Sequence, residues 1–227
     1  MIHNLLYGYI HQLDGCALVS GKTDSSREKE DDEDLAIRFV NTAAWRLRDP
    51  SEERLADADA LLAWLGENAI GSARELKRIR SVWQADLARG RAAYRDAIML
   101  REAIYDILVA RIKRRAPPGE ALRAFNGMLT RPMPAAALAW GSGSVGWGLQ
   151  PQGDGLDLLK PIVTSAAALM TGPRARRVKQ CQDDRGCGWL FIDESRAQNR
   201  RWCAMGDCGN RAKAHRHYQR MHGKGRS

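Results

Sequence analysis

The sequence predicts a mainly α-helical protein with a small cysteine-rich module near its C-terminal end. Three observations support this fold class. Apolar residues recur at helical spacing through most of residues 34–173, two short apolar runs flank one Gly/Ser turn, and four of the five cysteines cluster after residue 180. We therefore expect a helical domain with a small hairpin over 34–173 and a separate module over 174–227.

The helices are predicted from apolar spacing and from the residues that interrupt it. Leu35, Phe39 and Val40 open the pattern, Gly66 follows the second helix, and Gly90 kinks or divides the third. A Pro-Pro-Gly sequence ends the third helix. The predicted helical elements span residues 35–45, 56–65, 76–112, 121–129 and 156–170.

The small hairpin is predicted from the apolar runs 138–140 and 147–149, with the Gly/Ser turn 141–146 between them. This turn also matches G-x-G-x-x-G, a dinucleotide-binding pattern that needs a strand before it and a helix after it. Trp147 and Pro151 follow it instead of a helix start, so we interpret it as a hairpin turn. The sequence has no H-E-x-x-H, G-x-S-x-G or P-loop motif, and we expect a protein that is not an enzyme.

Residues 1–33 are predicted to be a disordered extension that ends in an acidic run, and Cys16 within it is interpreted as an incidental thiol. No Lys or Arg precedes Lys22, which argues against a signal peptide, and no uncharged stretch is continuously apolar. We therefore expect a cytoplasmic protein without a membrane segment. In that reducing compartment, clustered cysteines bind metal more often than they form disulfides.

Two cysteine pairs have the spacings C-x5-C and C-x4-C, with 15 residues between the pairs. Cys181 and Cys187 form the first pair, and Cys203 and Cys208 the second. Two close pairs with a hairpin-sized insert suit a tetrahedral site of four sulfurs, and glycines beside Cys187 and Cys208 favour tight turns. We predict one Zn²⁺ at these four cysteines. An iron–sulfur cluster, four free thiols, and a site of three cysteines and one histidine remain alternatives.

The residues around the cysteines predict a zinc-finger module with a β-hairpin and a helix around the four-cysteine zinc site. Residues 189–193 alternate as a strand, residues 194–199 are a polar turn, and residues 200–203 return as a second strand. Residues 210–221 contain no Gly or Pro, so the second cysteine pair is expected at a helix N-terminus.

The net charge of +9 lies entirely in this module. Residues 174–227 hold 14 Lys/Arg against 5 Asp/Glu, whereas residues 1–173 hold 22 of each. A basic helix on a metal-stabilised module predicts nucleic-acid binding, with a merely solvated basic face as the alternative. The candidate nucleic-acid-binding residues are Asn210, Arg211, Lys213, Arg216, His217 and Arg220, together with Arg200 and Arg201.

These motifs resemble two known families. Cys208-Gly209-Asn210-Arg211, preceded by Cys-Gly-Trp-x-Phe-x-Asp and Arg-Arg-Trp-Cys, resembles the CGNR zinc finger of bacterial proteins. The tetrapeptides at 39–42 and 100–103 and the run 59–65 resemble the ABATE domain of stress-induced transcription regulators. The resemblance covers residues 34–220. It implies a mainly helical domain, zinc ligation by the four cysteines of the finger, and DNA binding in transcription regulation.

Two function hypotheses follow. In the first, the finger contacts DNA as part of a transcription regulator, and the helical domain is a sensor or a unit for homodimerisation. In the second, the finger is an RNA-binding or protein-interaction adaptor. Asn41 and Thr42 follow an apolar helical turn and are candidates for lining a small-molecule ligand pocket, with a buried hydrogen-bonding role as the alternative.

Overall fold

Most of the described chain is helical, and short antiparallel strand pairs lie between some of the helices. The structure is a computed structural model that describes residues 34–131, 135–141, 144–150 and 155–223. The helices are α1 (Leu35–Val40), α2 (Ala58–Glu67), α3 (Ala73–Ala85), α4 (Leu87–Ile112), α5 (Gly119–Leu129), α6 (Lys160–Thr171) and α7 (Asn210–Gly223). The paired strands are β1 (Ala43–Ala44) with β2 (Glu52–Glu53), β3 (Ala135–Gly141) with β4 (Ser144–Gln150), and β5 (Val178–Gln180) with β6 (Leu190–Ile192). The predicted mainly α fold is confirmed.

The long helical pattern of residues 76–112 divides at Asp86 and not at Gly90. Asp86 has a φ of −134°, and its side chain accepts a hydrogen bond from the Arg89 amide, which caps α4. Gly90 lies in the first turn of α4, where an added Cβ would stand 3.0 Å from the Cβ of Trp83. The glycine therefore allows close contact between α3 and α4, and the predicted position of the break was wrong.

Capping side chains set where α2 and α3 begin. Asp57 Oδ1 accepts a hydrogen bond from the Ala60 amide at 2.8 Å. Ser72 and Glu75 each accept a hydrogen bond from the other's amide, which is a capping box. Because Asp57 is the cap, α2 begins at Ala58 rather than at the predicted residue 56, and it continues through Gly66.

An apolar core joins helices α1 to α6, and buried residues occur along almost the whole length of α4. The other helices around it contribute their apolar faces, as the spacing predicted. The core includes the fully buried side chains of Phe39, Leu61, Leu62, Ile79, Leu100, Ile104 and Leu108.

The C-terminal module shares this core. Val178, Leu190 and Ile192, from β5 and β6, are buried among the apolar side chains of the helices. The described residues from Leu35 onward form one compact unit. The predicted division between a helical domain at 34–173 and a module at 174–227 stays a prediction. Apolar packing is continuous across residue 174.

The hairpin of this module uses different strands from those predicted. The predicted strand at 189–193 is present as β6, but it pairs with β5, which precedes Cys181, and not with residues 200–203. The Cys181–Cys187 loop closes this hairpin. Residues 200–203 return without forming a strand, and the Gln182 amide donates to the Arg201 carbonyl at 2.9 Å.

The predicted small hairpin between 138 and 149 is confirmed as β3 and β4, in which Trp140 lies opposite Val145. The predictions for residues 1–33, including Cys16, fall outside the described residues. In the ranges that the structure describes, no helix combines the length and apolar content needed to cross a membrane.

Candidate metal centre

Four cysteine sulfurs converge between the β5–β6 hairpin and the start of α7. The Sγ atoms of Cys181, Cys187, Cys203 and Cys208 all lie within 4.8 Å of one another. The Cys187–Cys203 sulfur distance is 3.8 Å and the Cys203–Cys208 distance is 3.6 Å. A disulfide requires about 2.05 Å, so these are separate thiols. The structure brings together the four cysteines that spacing selected.

The sulfur spacing fits a tetrahedral metal ion. Zinc–sulfur bonds of about 2.3 Å place neighbouring sulfurs about 3.8 Å apart in a tetrahedron. Burial and the neighbouring sulfurs raise the pKa of Cys208, and hydrogen bonding to Cys181 raises the pKa of Cys203. A divalent cation would offset these effects and hold all four groups as thiolates. The donor set therefore fits one structural Zn²⁺.

Local backbone structure places each sulfur. Cys181 directly follows β5, and its amide donates to the Trp189 carbonyl at 2.7 Å. Cys208 lies in the π-helical turn Met205–Gly209, directly before α7, whereas Cys203 precedes this turn; the predicted position at a helix N-terminus therefore holds for Cys208 and not for the whole pair. Four aromatic side chains pack around the sulfurs and reduce their contact with water: Trp45, Trp189, Phe191 and Trp202.

Arg211 is turned toward this centre. Its Nη2 donates to Cys208 Sγ at 2.9 Å and to Asp183 Oδ2 at 3.0 Å, and a further N–H donates to Asp207. The guanidinium also lies 5.1 Å from the ring centroid of Trp45. Burial would raise the pKa of Asp183, but hydrogen bonds from the Arg185 amide and Arg211 lower it. Arg211, a predicted nucleic-acid contact, is therefore placed as a support of the metal centre.

The other candidate nucleic-acid residues divide into inward and outward positions. Arg200 points inward, with its guanidinium donating to the carbonyls of Trp202 and Cys203. Asn210, at the start of α7, is exposed, and its Nδ2 donates to the Gly206 carbonyl at 3.0 Å. Lys213 and Arg201 are exposed. The structure places the remaining candidates on α7 without describing their side chains: Arg216, His217 and Arg220.

The position of His215 bears on the alternative site of three cysteines and one histidine. His215 Nδ1 lies 2.6 Å from Asp184 Oδ2 and is exposed, so its described contact is with a carboxylate. Four cysteines already supply the four donors that a tetrahedral site requires. The geometry therefore supports the set of four cysteines over a set that replaces one cysteine by this histidine.

Residues 43–48, which we call the strap, attach the helical segment to the first cysteine pair. The Arg46 amide donates to the Cys187 carbonyl at 3.0 Å, and the Leu47 amide donates to the Gly186 carbonyl at 3.1 Å. In the opposite direction, Trp189 Nε1 donates to the Ala43 carbonyl at 3.0 Å. The strap therefore lies alongside the turn at Cys187 and is held there by backbone hydrogen bonds.

The close fit of the strap requires glycine on both sides of Cys187. Gly186 and Gly188 have φ values of 90° and 66°, in the left-handed region that other residues rarely adopt. A Cβ at Gly188 would stand 2.8 Å from Leu47 Cγ. The predicted glycine turn is present here, whereas Gly206 and Gly209 lie in the π-helical segment at Cys208 without positive φ.

Asn41 and Thr42 use their side chains for buried hydrogen bonds. Asn41 Nδ2 donates to the Leu190 carbonyl at 2.9 Å, and Asn41 Oδ1 accepts from the Leu190 amide at 3.0 Å. Thr42 Oγ1 donates to the Phe39 carbonyl and accepts from Arg101 Nη1. This geometry matches the hydrogen-bonding alternative, and the ligand pocket at this pair stays a prediction.

A charged network fixes the strap on α4. Arg101 is only 3% exposed and pairs with Glu53 at 2.6 Å, while Arg46 pairs with Glu102 at 2.7 Å. Burial would raise the pKa of Glu102, but Arg46 and Arg101 lower it, so this carboxyl stays ionised. Farther along α4, Tyr105 Oη accepts a hydrogen bond from Gln180 of β5 at 2.7 Å.

Sequence reasoning did not identify Asp183, Arg46 and Trp45 as parts of the site. Asp183 is 3% exposed although it lies in the polar loop between the first two cysteines, and its burial depends on Arg211, 28 residues away. The sequence marks Arg101 and Glu102 only as part of the tetrapeptide at 100–103. The spacing of residues in a single sequence does not show which charged side chains, far apart in the chain, will pair in the fold.

Two family models match the chain. The ABATE model, described as "Putative stress-induced transcription regulator", matches residues 33–173, and the CGNR zinc finger model matches residues 177–221. No curated protein matches the chain. The first match covers more than half of the sequence, and the second includes all four clustered cysteines. The chain thus belongs to the ABATE family and carries a C-terminal CGNR zinc finger.

Proposed function

We propose that this protein is a zinc-dependent DNA-binding transcription regulator, in which α7 and the surface beside it contact DNA. The observation that carries the proposal is the placement of the charge. The whole excess of +9 falls in residues 174–227, and α7 leaves the cysteine cluster with its described side chains after Ala212 exposed. Basic residues on an exposed helix suit the phosphates of a duplex.

The zinc ion is structural in this proposal. A site of four thiolates has no open coordination position, so it offers no place for a substrate or a reactive water molecule. Zinc would close the Cys181–Cys187 loop against the start of α7 and supply folding free energy. We accordingly propose a non-catalytic protein whose metal holds the DNA-contacting helix in place.

The helical segment has the role of a sensor or a dimerisation unit in the same proposal. The strap and the shared core join it to the finger, and Arg46 contacts both the Cys187 carbonyl and Glu102 of α4. A ligand or a second copy that displaced α4 would therefore act on the Cys187 turn.

Fluorescence anisotropy with the zinc-loaded full chain tests the DNA proposal. Duplex DNA from a random pool should bind with an affinity that falls steeply with salt, and removal of zinc should abolish binding. Lys213→Ala should weaken binding, whereas Lys77→Ala, an exposed charge of α3, should not. Binding of single-stranded RNA alone, or of neither nucleic acid at low salt, would contradict the proposal.

One observation favours the adaptor as a second candidate. Met205, Tyr218 and Met221 are exposed by 48, 62 and 67% on the finger, and such side chains are common at protein interfaces. Under that function, Tyr218→Ala should reduce capture of a protein partner and leave DNA affinity unchanged. Loss of DNA affinity in Tyr218→Ala would favour the regulator.

A further inference from the structure

A second group of basic residues, apart in sequence from α7, lies on the 3₁₀ turn Pro173–Arg177 that follows α6. This turn carries Arg174, Arg176 and Arg177, and the first two of these are exposed. Its acidic partner is Glu194, which pairs with Arg174 at 3.1 Å and also with Arg177. Two arginines share one half-exposed carboxylate, so positive charge is in excess along the turn.

The same turn borders a hollow of about 440 Å³ between the C-terminal ends of α4 and α6. Arg111 of α4 and Arg176 of the turn both line it, and no carboxylate lines it among the residues that the structure describes. The Arg111 guanidinium is oriented because its Nη1 donates to the Ala175 carbonyl. Arg176 has no hydrogen-bond or ion-pair partner among the residues that the structure describes.

Arginine pairs of this kind match the chemistry of a phosphate group. A guanidinium presents five N–H donors in a planar fork, and one donor of Arg111 is used by Ala175. Thr171 also lines the hollow, but its hydroxyl hydrogen is used by the Ala167 carbonyl. The two arginines therefore remain as the side-chain donors available to an anion. The turn is fixed to the finger through Glu194, next to buried Asp193.

We propose that this hollow binds a phosphate group, supplied by the backbone of the nucleic acid that α7 contacts, with Arg176 and Arg111 as its donors. That the phosphate comes from a nucleic acid rests on the proposed function. The site itself rests on the positions of the two arginines. Phosphate contacts set the register of a protein on a duplex without reading its sequence. The basic turn thereby gives the finger a second point of attachment.

Salt dependence of duplex binding tests the proposal in the zinc-loaded full chain. Each phosphate contact contributes about 0.9 to the slope of log affinity against log salt concentration. Arg176→Ala should lower the slope by about that amount, and Arg176→Lys should restore part of it. Arg123→Ala is the matched control, because it removes an exposed charge from α5 outside the hollow. A slope equal to that of the wild type in Arg176→Ala overturns the proposal.

A second readout separates the site from the proposed function. Inorganic phosphate, titrated into the wild-type protein, should shift the side-chain Nε–H resonances of Arg111 and Arg176, and Arg176→Ala should abolish the Arg111 shift. If the wild type binds no duplex but shows these shifts, the proposed function fails and the phosphate site stands with a free anion as its ligand. If the resonances do not move, the site is refuted whether or not DNA binds.

Discussion

Asn41 and Leu190 exchange two hydrogen bonds although 149 residues separate them in the chain. The carboxamide donates to the Leu190 carbonyl and accepts from its amide, so the side chain replaces a neighbouring strand at one position of β6. Leu190 lies between the two cysteine pairs, and Asn41 follows α1. One side chain therefore joins the helical segment to the finger through buried, otherwise unpaired backbone groups.

Replacing Asn41 by Ala should lower the stability of the whole unit. The variant leaves a buried N–H and a buried C=O without partners, at a cost of about 2 to 4 kcal/mol in the free energy of unfolding. Urea unfolding, followed by tryptophan fluorescence, measures this. Asn126→Ala, at an exposed position of α5, is the control. An unchanged urea midpoint in Asn41→Ala would show that the pair contributes no net stability.

Replacing Arg211 by Ala should weaken zinc binding. The variant loses the donor to Cys208 Sγ and leaves the buried carboxylate of Asp183 unpaired. Loss of such an outer partner reduces metal affinity about 10- to 100-fold. Competition with a chromogenic chelator measures the affinity. Lys213→Ala, two residues farther along α7, should bind zinc like the wild type, and equal affinities in all three proteins would refute the role given to Arg211.

Replacing Gly188 by Ala should destabilise the turn at Cys187 through two separate effects. The backbone is left-handed at this residue, which costs about 1–2 kcal/mol for an L side chain, and the new methyl group would meet Leu47 at 2.8 Å. Leu47→Ala in the same chain should recover the steric part only. Thermal unfolding measures both. Gly206→Ala is the control, since nothing lies within 4 Å of its Cβ position, and a larger effect there would contradict the prediction.

Asp193 should remain ionised at unusually low pH. It is fully buried; burial would raise its pKa, but Lys179 Nζ at 2.7 Å, Ser195 and the Arg200 amide at 2.9 Å lower it. A lowered pKa means that this carboxylate stabilises the fold above its unfolded pKa of about 3.9. That contribution disappears as the pH falls through the folded value. A carboxyl ¹³C titration measures it, and an ordinary midpoint near 3.9 would contradict the prediction.

Removing zinc with a chelator should expose the strap before the helical core opens. The amides of Arg46 and Leu47 donate to carbonyls of the Gly186–Cys187 turn, which the metal would hold closed. Their hydrogen exchange should accelerate, while the amide of Leu108, fully buried in α4, should stay protected. If strap and core amides accelerate together, then zinc stabilises the whole unit cooperatively.

The helices and the cysteine cluster were predictable because their signals are local and repeated. Apolar periodicity identified α4, and spacing with glycine selected the four cysteines. The strands of the finger were not predictable in the same way. β5 has three residues, Val178–Gln180, with no alternating pattern, and it pairs with β6 because the Cys181–Cys187 loop folds the chain back.

The positions of charged side chains were the least predictable part of the site. Arg211 and Lys213 have equivalent signals in a helical sequence pattern, yet Arg211 faces a buried Asp183 while Lys213 is exposed. The difference depends on where the loop after Cys181 lies. Likewise, Asp86 rather than Gly90 ends α3, because a side-chain cap outweighs the weak helix propensity of one glycine.

The shared core also has a consequence for synthesis on the ribosome. Val178, Leu190 and Ile192 fill part of the core around α4, so helices α1 to α6 emerge from the ribosome before the last apolar residues that complete it. Until residue 192 has left the exit tunnel, the nascent chain carries an open apolar surface of the kind that chaperones bind. Folding of the helical segment is therefore complete only after β5 and β6 of the finger have been translated.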